Sequence, residues 1–121
     1  MSSIAEYGFP RQARLLTPKQ YQSVFSKSRR ISCPEFLFIY APSDCSRSRL
    51  GFAVAKKQVK KAVDRNRLKR LVRESYRKHQ SKLPDIDLVF MVRKSILELD
   101  NKTIHLKLEE TWHRLINRLE S

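Results

Sequence analysis

A chain of 121 residues with 40% hydrophobic and 9% aromatic content is long enough for one modest core, too short for two, and too apolar for a disordered basic tail. Its 26 lysines and arginines oppose 12 acidic residues, a net charge of +14, so a polyanionic partner is expected, nucleic acid before an anionic membrane surface. No apolar run approaches the ~20 residues that span a bilayer, and the N-terminal MSSIAEYGFPRQAR lacks the apolar core of a signal peptide, so a cytoplasmic protein is expected.

Residues 1–13 read as a flexible N-terminal segment interrupted by Gly8 and Pro10, ahead of a single α+β domain over 14–119. Thr17-Pro18-Lys19-Gln20 is a helix start: Thr17 can cap, Pro18 suits the first helical position, and Gln20 completes a capping box. A helix over 18–26 puts Tyr21, Val24 and Phe25 on one face. Composition favours all three as core; an aromatic left exposed would instead be available to stack on a base. Glu35–Ala41 is β-rich and ends at Pro42, and Leu50–Ala55 is a second strand beyond a polar connection. These two are expected to pair as an antiparallel hairpin. Gly51, inside the second strand, marks a close approach by other atoms.

The most basic stretch follows. Pro84 then breaks the chain, and Ile86–Val92 is a strand whose continuous apolar run implies burial on both faces. Asp100 caps a last helix over 101–119, with Ile104, Leu108, Trp112, Leu115, Ile116 and Leu119 at helical spacing. The order α-β-β-α-β-α predicts a two-layer α+β sandwich, one sheet with helices on it. The strands flanking the basic helix form a β-α-β unit, for which the general rule is a right-handed crossover.

Several chemistries find no support. Cys33 and Cys45 form no C-x-x-C pair, so two reduced thiols are expected rather than zinc ligands. His79, His105 and His113 are scattered and expected on helix surfaces. With only two glycines, Gly8 and Gly51, there is no phosphate-cradling loop, and the acidic residues show no metal-binding cluster or catalytic pairing. Any reaction in which the chain takes part is expected to be performed by something else.

Between Lys56 and Lys78, eleven basic residues face only Asp64 and Glu74, which leaves +9 of the total charge on one segment. At about 100° per residue, Leu68, Leu71, Val72, Ser75 and Tyr76 fall in one buried arc and Asn66, Arg70, Arg73 and Arg77 line the opposite face. Val59 and Ala62 fall off the buried arc, so the regular helix is expected to start near Lys61 after a basic loop, Lys56–Lys60. Arg67 faces outward, whereas Arg65, near the edge of the arc, is placed to divide its donors between a ligand and the protein. The like-charge pairs Lys61–Arg65, Arg65–Lys69, Lys69–Arg73 and Arg73–Arg77 each cost roughly 0.2–0.5 kcal/mol, which Arg70–Glu74 and Glu74–Lys78 offset only in part. Bound phosphates would turn that repulsion into attraction, and arginine suits bidentate phosphate contacts.

Ala62–Ser75, AVDRNRLKRLVRES, resembles the Arg-Asn-Arg signature of the bacterial ribonuclease P protein component. Ala55-Lys56-Lys57, Phe9-Pro10-Arg11, Arg14–Pro18, Val24-Phe25 and Pro84–Val92 also resemble that family, so the likeness spans roughly residues 9–116. The resemblance implies a small basic subunit bound to a large catalytic RNA, which removes the 5′ leader of precursor tRNA with magnesium ions held mainly by the RNA. No organic cofactor and no protein partner is implied. It implies a fold related to a domain of ribosomal proteins and elongation factors, α-β-β-β-α-β-α, with a left-handed crossover at the signature helix and a further short strand near Ser28–Ser32. It places Arg65, Asn66, Arg67, Lys69, Arg70 and Arg73 against the catalytic RNA, with Lys56 and Lys57 beside them. Tyr21, standing where the family leads one to expect phenylalanine, and Phe25 fall where a cleft between sheet and first helix contacts the leader. The alternatives are a ribosomal or other structural RNA-binding protein and, less favoured for want of a preceding short helix, a major-groove DNA binder.

Overall fold

The structure, a computed structural model, describes residues 13–27 and 29–120, so the segment expected to be irregular, 1–13, lies outside it except for Ala13. Helix α1 (Pro18–Ser26) starts as its sequence predicts. The Thr17 hydroxyl accepts from the Gln20 N–H at 3.2 Å, while the Gln20 side chain accepts from the Thr17 N–H at 3.1 Å. The chain continues through β1 (Arg29–Ser32), the short strand implied by the resemblance, then β2 (Phe36–Pro42) and β3 (Arg49–Ala53). Helix α2 (Ala62–His79) and a 3₁₀ turn at Gln80–Lys82 lead to β4 (Ile86–Val92). A second 3₁₀ turn, Lys94–Glu98, precedes helix α3 (Asn101–Glu120). The Asp100 carboxylate accepts from the Thr103 N–H at 2.8 Å, the predicted cap, and hydrogen bonding to Thr103 holds that carboxyl below its ordinary range.

The four strands form one sheet in the order β1-β2-β4-β3. β2 and β3 therefore do not pair as the expected hairpin. β4 lies between them, antiparallel to β2 and parallel to β3, with Phe90 opposite both Phe38 and Phe52. The reason is physical. Every residue of β4 except Met91 is buried, and a strand covered on both faces belongs at the centre of a sheet. Its one charged residue, Asp87, also selects the neighbour. Arg49 of β3 stands in register with it and donates from Nε and Nη2 to the two Asp87 oxygens at 2.8 and 2.7 Å. That bidentate bond raises the Arg49 guanidinium above its ordinary value, and Asp44, on the connection from β2, accepts from the same Nη2 at 2.8 Å. A β2–β3 hairpin would take Arg49 away from a buried carboxylate.

α2 and α3 cover one face of the sheet. Leu68, Val72 and Tyr76 from α2 and Ile104, Leu108, Trp112 and Leu115 from α3 meet Phe36, Phe38 and Phe90. The Phe38 and Trp112 rings lie 4.9 Å apart, and Trp112 Nε1 donates to the Ser75 hydroxyl at 2.7 Å. His79, expected on the surface, is buried in the seam between the two helices, its Nε2 2.7 Å from Glu109 Oε2. Burial raises the Glu109 carboxyl, but the His79 hydrogen bond and charge together bring it below its ordinary value. His105 and His113 are exposed, as expected. α1 covers part of the other face, over a smaller cluster of Leu15, Val24, Leu37, Ile39, Ala41 and Val89.

Candidate nucleic-acid interface

The basic segment leaves β3 through a turn at Lys56–Gln58, where the Gln58 and Val59 N–H groups both donate to the Ala55 carbonyl at 3.0 Å. Val59 anchors this loop in the core with no exposure, so its failure to fit the helical arc reflects a separate, non-helical anchor. Lys56, Lys57, Lys60 and Lys61 stay exposed around it. α2 begins at Ala62 with Lys61 as its N-cap, next to the start expected. Its buried residues are Leu68, Val72, Ser75, Tyr76 and His79, the expected stripe with Leu71 moved to the margin.

The two arginines of the Arg65-Asn66-Arg67 turn are both bound to the protein. Arg65 Nη1 donates to the carbonyls of Val59 and Lys60 at 2.9 and 2.8 Å, tying the approach loop to the helix. Only one of its guanidinium nitrogens is used, so the division of donors expected for Arg65 is available. Arg67 Nη1 donates to Asn101 Oδ1 at the start of α3, which half-buries a side chain expected to face outward. Held between them, Asn66 is exposed, and so is Arg70 one turn on. Among the described residues, no side chain hydrogen-bonds or pairs with Lys56, Lys57, Asn66, Lys69 or Arg70. Arg73 places its guanidinium 5.9 Å from the centroid of the Phe52 ring, a cation–π distance. Glu74 lies 3.6 Å from Arg77, not against Arg70 or Lys78 as expected. Of the outward arginines, Arg77 is thus paired, while Arg70 and Arg73 keep their charge uncompensated among the described residues.

The parallel pairing of β3 and β4 adds cations that the sequence reading did not single out. Both strands run out at the same end of the sheet, so Arg93 and Lys94, exposed after β4, leave the sheet beside the segment that becomes Lys56 and Lys57. Their sequence signal was adjacency to a buried strand; its meaning depends on which strand is the neighbour.

The α1 aromatics divide. Val24 is core, Tyr21 is half-buried, and Phe25 is 42% exposed, so core placement fails for Phe25. The Tyr21 hydroxyl accepts from the Phe52 N–H at 3.1 Å, and its ring is the close approach that Gly51 accommodates. Cys33 and Cys45 are free and half-buried. Among the described residues no three His, Cys, Asp or Glu side chains converge to hold a metal ion. Within the same residues no helix is long and apolar enough to cross a membrane.

The family model for ribonuclease P matches residues 9–116. The chain belongs to the ribonuclease P protein family. Among relatives of that family, the ribonuclease P protein component of Photorhabdus laumondii is 44% identical over 111 residues, covering 92% of this chain and 93% of the relative. That of Vibrio campbellii is 47% identical over 109 residues, covering 90% and 92%. The solved ribonuclease P protein of Thermotoga maritima superposes with a TM-score of 0.69 at 28% identity, covering 87% of this chain and 96% of the other. A Staphylococcus aureus ribonuclease P protein mutant with defective mRNA degradation activity superposes with a TM-score of 0.80, covering 87% and 89%; at 24% identity that likeness speaks for the fold. The ribonuclease P family thus shares both this sequence pattern and this α+β architecture.

Proposed function

We propose that this member of the ribonuclease P protein family binds the catalytic RNA of ribonuclease P through the stripe Asn66, Lys69, Arg70 and Arg73 with Lys56 and Lys57 beside it, and the 5′ leader of precursor tRNA through the open face near α1. Arg65 and Arg67 act in this reading chiefly by fixing the loop and helix that present the stripe. The observation that carries it is the pairing pattern: the two signature arginines are bonded inward while their neighbours stand outward with no counter-charge. Such a surface gains affinity by displacing condensed counterions from a phosphate backbone.

Hydrolysis of the leader is assigned to the RNA, with magnesium held mainly by that RNA. Histidine and carboxylate meet in this chain at His79 and Glu109, and that pair is committed to the α2–α3 seam. His79 lies thirteen positions beyond Asn66 on α2, roughly 20 Å along the axis. The protein supplies position and charge.

Reconstitution with a bacterial ribonuclease P RNA at low magnesium tests this. The protein should stimulate cleavage of precursor tRNA over RNA alone; absence of stimulation rejects the reading and leaves a ribosomal type of RNA binder. At the residue level, Arg70→Ala should lower RNA affinity and flatten its salt dependence by about one phosphate contact, and an unchanged slope would remove Arg70 from the interface.

A further inference from the structure

Tyr21 and Phe25 lie one helical turn apart, yet the fold uses them for different ends. Tyr21 rests on the backbone of β3. A Cβ added at Gly51 would come within 2.6 Å of the Tyr21 hydroxyl oxygen and 2.7 Å of its Cε1 and Cζ, so the ring occupies the space that glycine leaves open. Gly51 has no positive φ, and its requirement there is room alone.

The hydrogen bond that Tyr21 accepts comes from a group the sheet leaves over. Among the described residues β3 is an edge strand with β4 on one side, and the outward-pointing backbone groups of its even residues meet no strand there, only an isolated parallel bridge between Arg14 and Leu50. The Leu50 carbonyl accepts from the Leu15 N–H at 3.0 Å, and the Phe52 N–H finds the Tyr21 hydroxyl. Tyr21 thus stands in for a missing fifth strand at one residue. Val24 buries itself over β2 and β4, so α1 is held at two points, one of them the edge of β3. Next in the row from Gly51 and Val89, the partners Ala53 and Met91 remain partly exposed, a strip of sheet that α1 does not cover. Where α1 sits decides how wide that strip is and where Phe25 stands.

From this geometry we infer that Tyr21 is a positioning residue, not a stacking one. Its hydroxyl, bonded to the β3 edge above Gly51, sets the seat of α1 and thereby the placement of Phe25, the aromatic left to stack on a base of the leader. The inference rests on the leader reading above. It is particular to tyrosine: phenylalanine at this position fills the same space but leaves the Phe52 N–H to water.

Tyr21→Phe keeps the ring and removes only the bond. In the full-length protein, hydrogen exchange at the Phe52 amide should accelerate by about 2- to 10-fold, the worth of one such bond. In the reconstituted holoenzyme, affinity for the RNA should hold while the advantage of leader-bearing precursor over mature tRNA falls by a similar factor. A purely structural role would move stability and leave that ratio alone. Gly51→Ala, which drives the ring off the strand, should cost the same advantage, and adding Tyr21→Phe to it should cost nothing more; additive losses would separate the two residues. Unchanged Phe52 exchange in Tyr21→Phe overturns the bond, and raised exchange with an unchanged leader advantage overturns its positioning role. Wild-type protein that stimulates cleavage without preferring leader-bearing RNA overturns the leader reading and this inference with it, an outcome seen before any variant is made.

Discussion

On one face of the sheet Trp112, Tyr76, Phe36, Phe38 and Phe90 are wholly buried; on the other, Val24 of α1 packs with five aliphatic residues while Phe25, Ala53 and Met91 still reach solvent. The closed face packs aromatic rings against one another and threads a polar chain through the helix seam, from Trp112 to Ser75 and from Glu109 to His79. The open face is joined by backbone and hydroxyl bonds to the edge of β3. Aromatic burial on the closed face supplies most of the free energy that holds the sheet to its helices. The open face is cheaper to disturb, which is what a surface that must accept a ligand requires.

The largest effect should come from Trp112→Ala. Removing a fully buried indole leaves a cavity and deprives Ser75 of its donor, and should cost about 3–5 kcal/mol in urea unfolding; a loss below about 1 kcal/mol would break the contrast between the faces. Glu109→Gln should cost less, about 1–3 kcal/mol, because His79 loses a charged partner. This variant also carries a pH signature. The folded Glu109 carboxyl lies below its ordinary 4.5, so its contribution is complete above that value and is lost as pH falls through the folded one. Wild-type stability should therefore fall more steeply in acid than that of Glu109→Gln, and parallel curves would show that the seam does not depend on this charge. Phe25→Ala should be the mildest in stability, under about 1 kcal/mol, while weakening leader binding by the ~1–3 kcal/mol of a lost base stack. A stability loss rivalling that of Trp112→Ala would return Phe25 to the core.

Local features were legible in the sequence because their physics is local. The Thr17–Gln20 box, Pro18, the Asp100 cap, the limits of β4 and the loop before α2 each depend on neighbours within a turn, and all stand where expected. The short strand Arg29–Ser32 was legible through the family resemblance alone. The β2–β3 pairing failed because a short polar connection also suits strands with a third between them. The counter-signal was present: a β4 apolar but for one acidic residue, and an arginine at the head of β3, argue for a central strand beside Arg49. His79 was misplaced against its own periodicity: eleven positions beyond Leu68, at about 100° each, it returns to the buried arc, and only its partner Glu109 belongs to another helix. The candidate stripe was readable as a set of cations, whereas the bond of Arg67 to Asn101 and the seating of Tyr21 on β3 depend on partners remote in sequence, and the bonds of Arg65 to the Val59 and Lys60 carbonyls depend on how the approach loop folds back on the helix.

The place of β4 between β2 and β3 has a temporal side. Among the described residues β3 has no strand beside it until β4 is available, and β4 ends at Val92. On a ribosome the β1–β2 hairpin can close early, whereas the sheet that orients α2 waits for the later part of the chain, a non-local closure of the kind that slows folding. The cationic helix is therefore made before the platform that aims it, and the nascent chain meets the polyanions around it with its charge already in hand and its selectivity still to come.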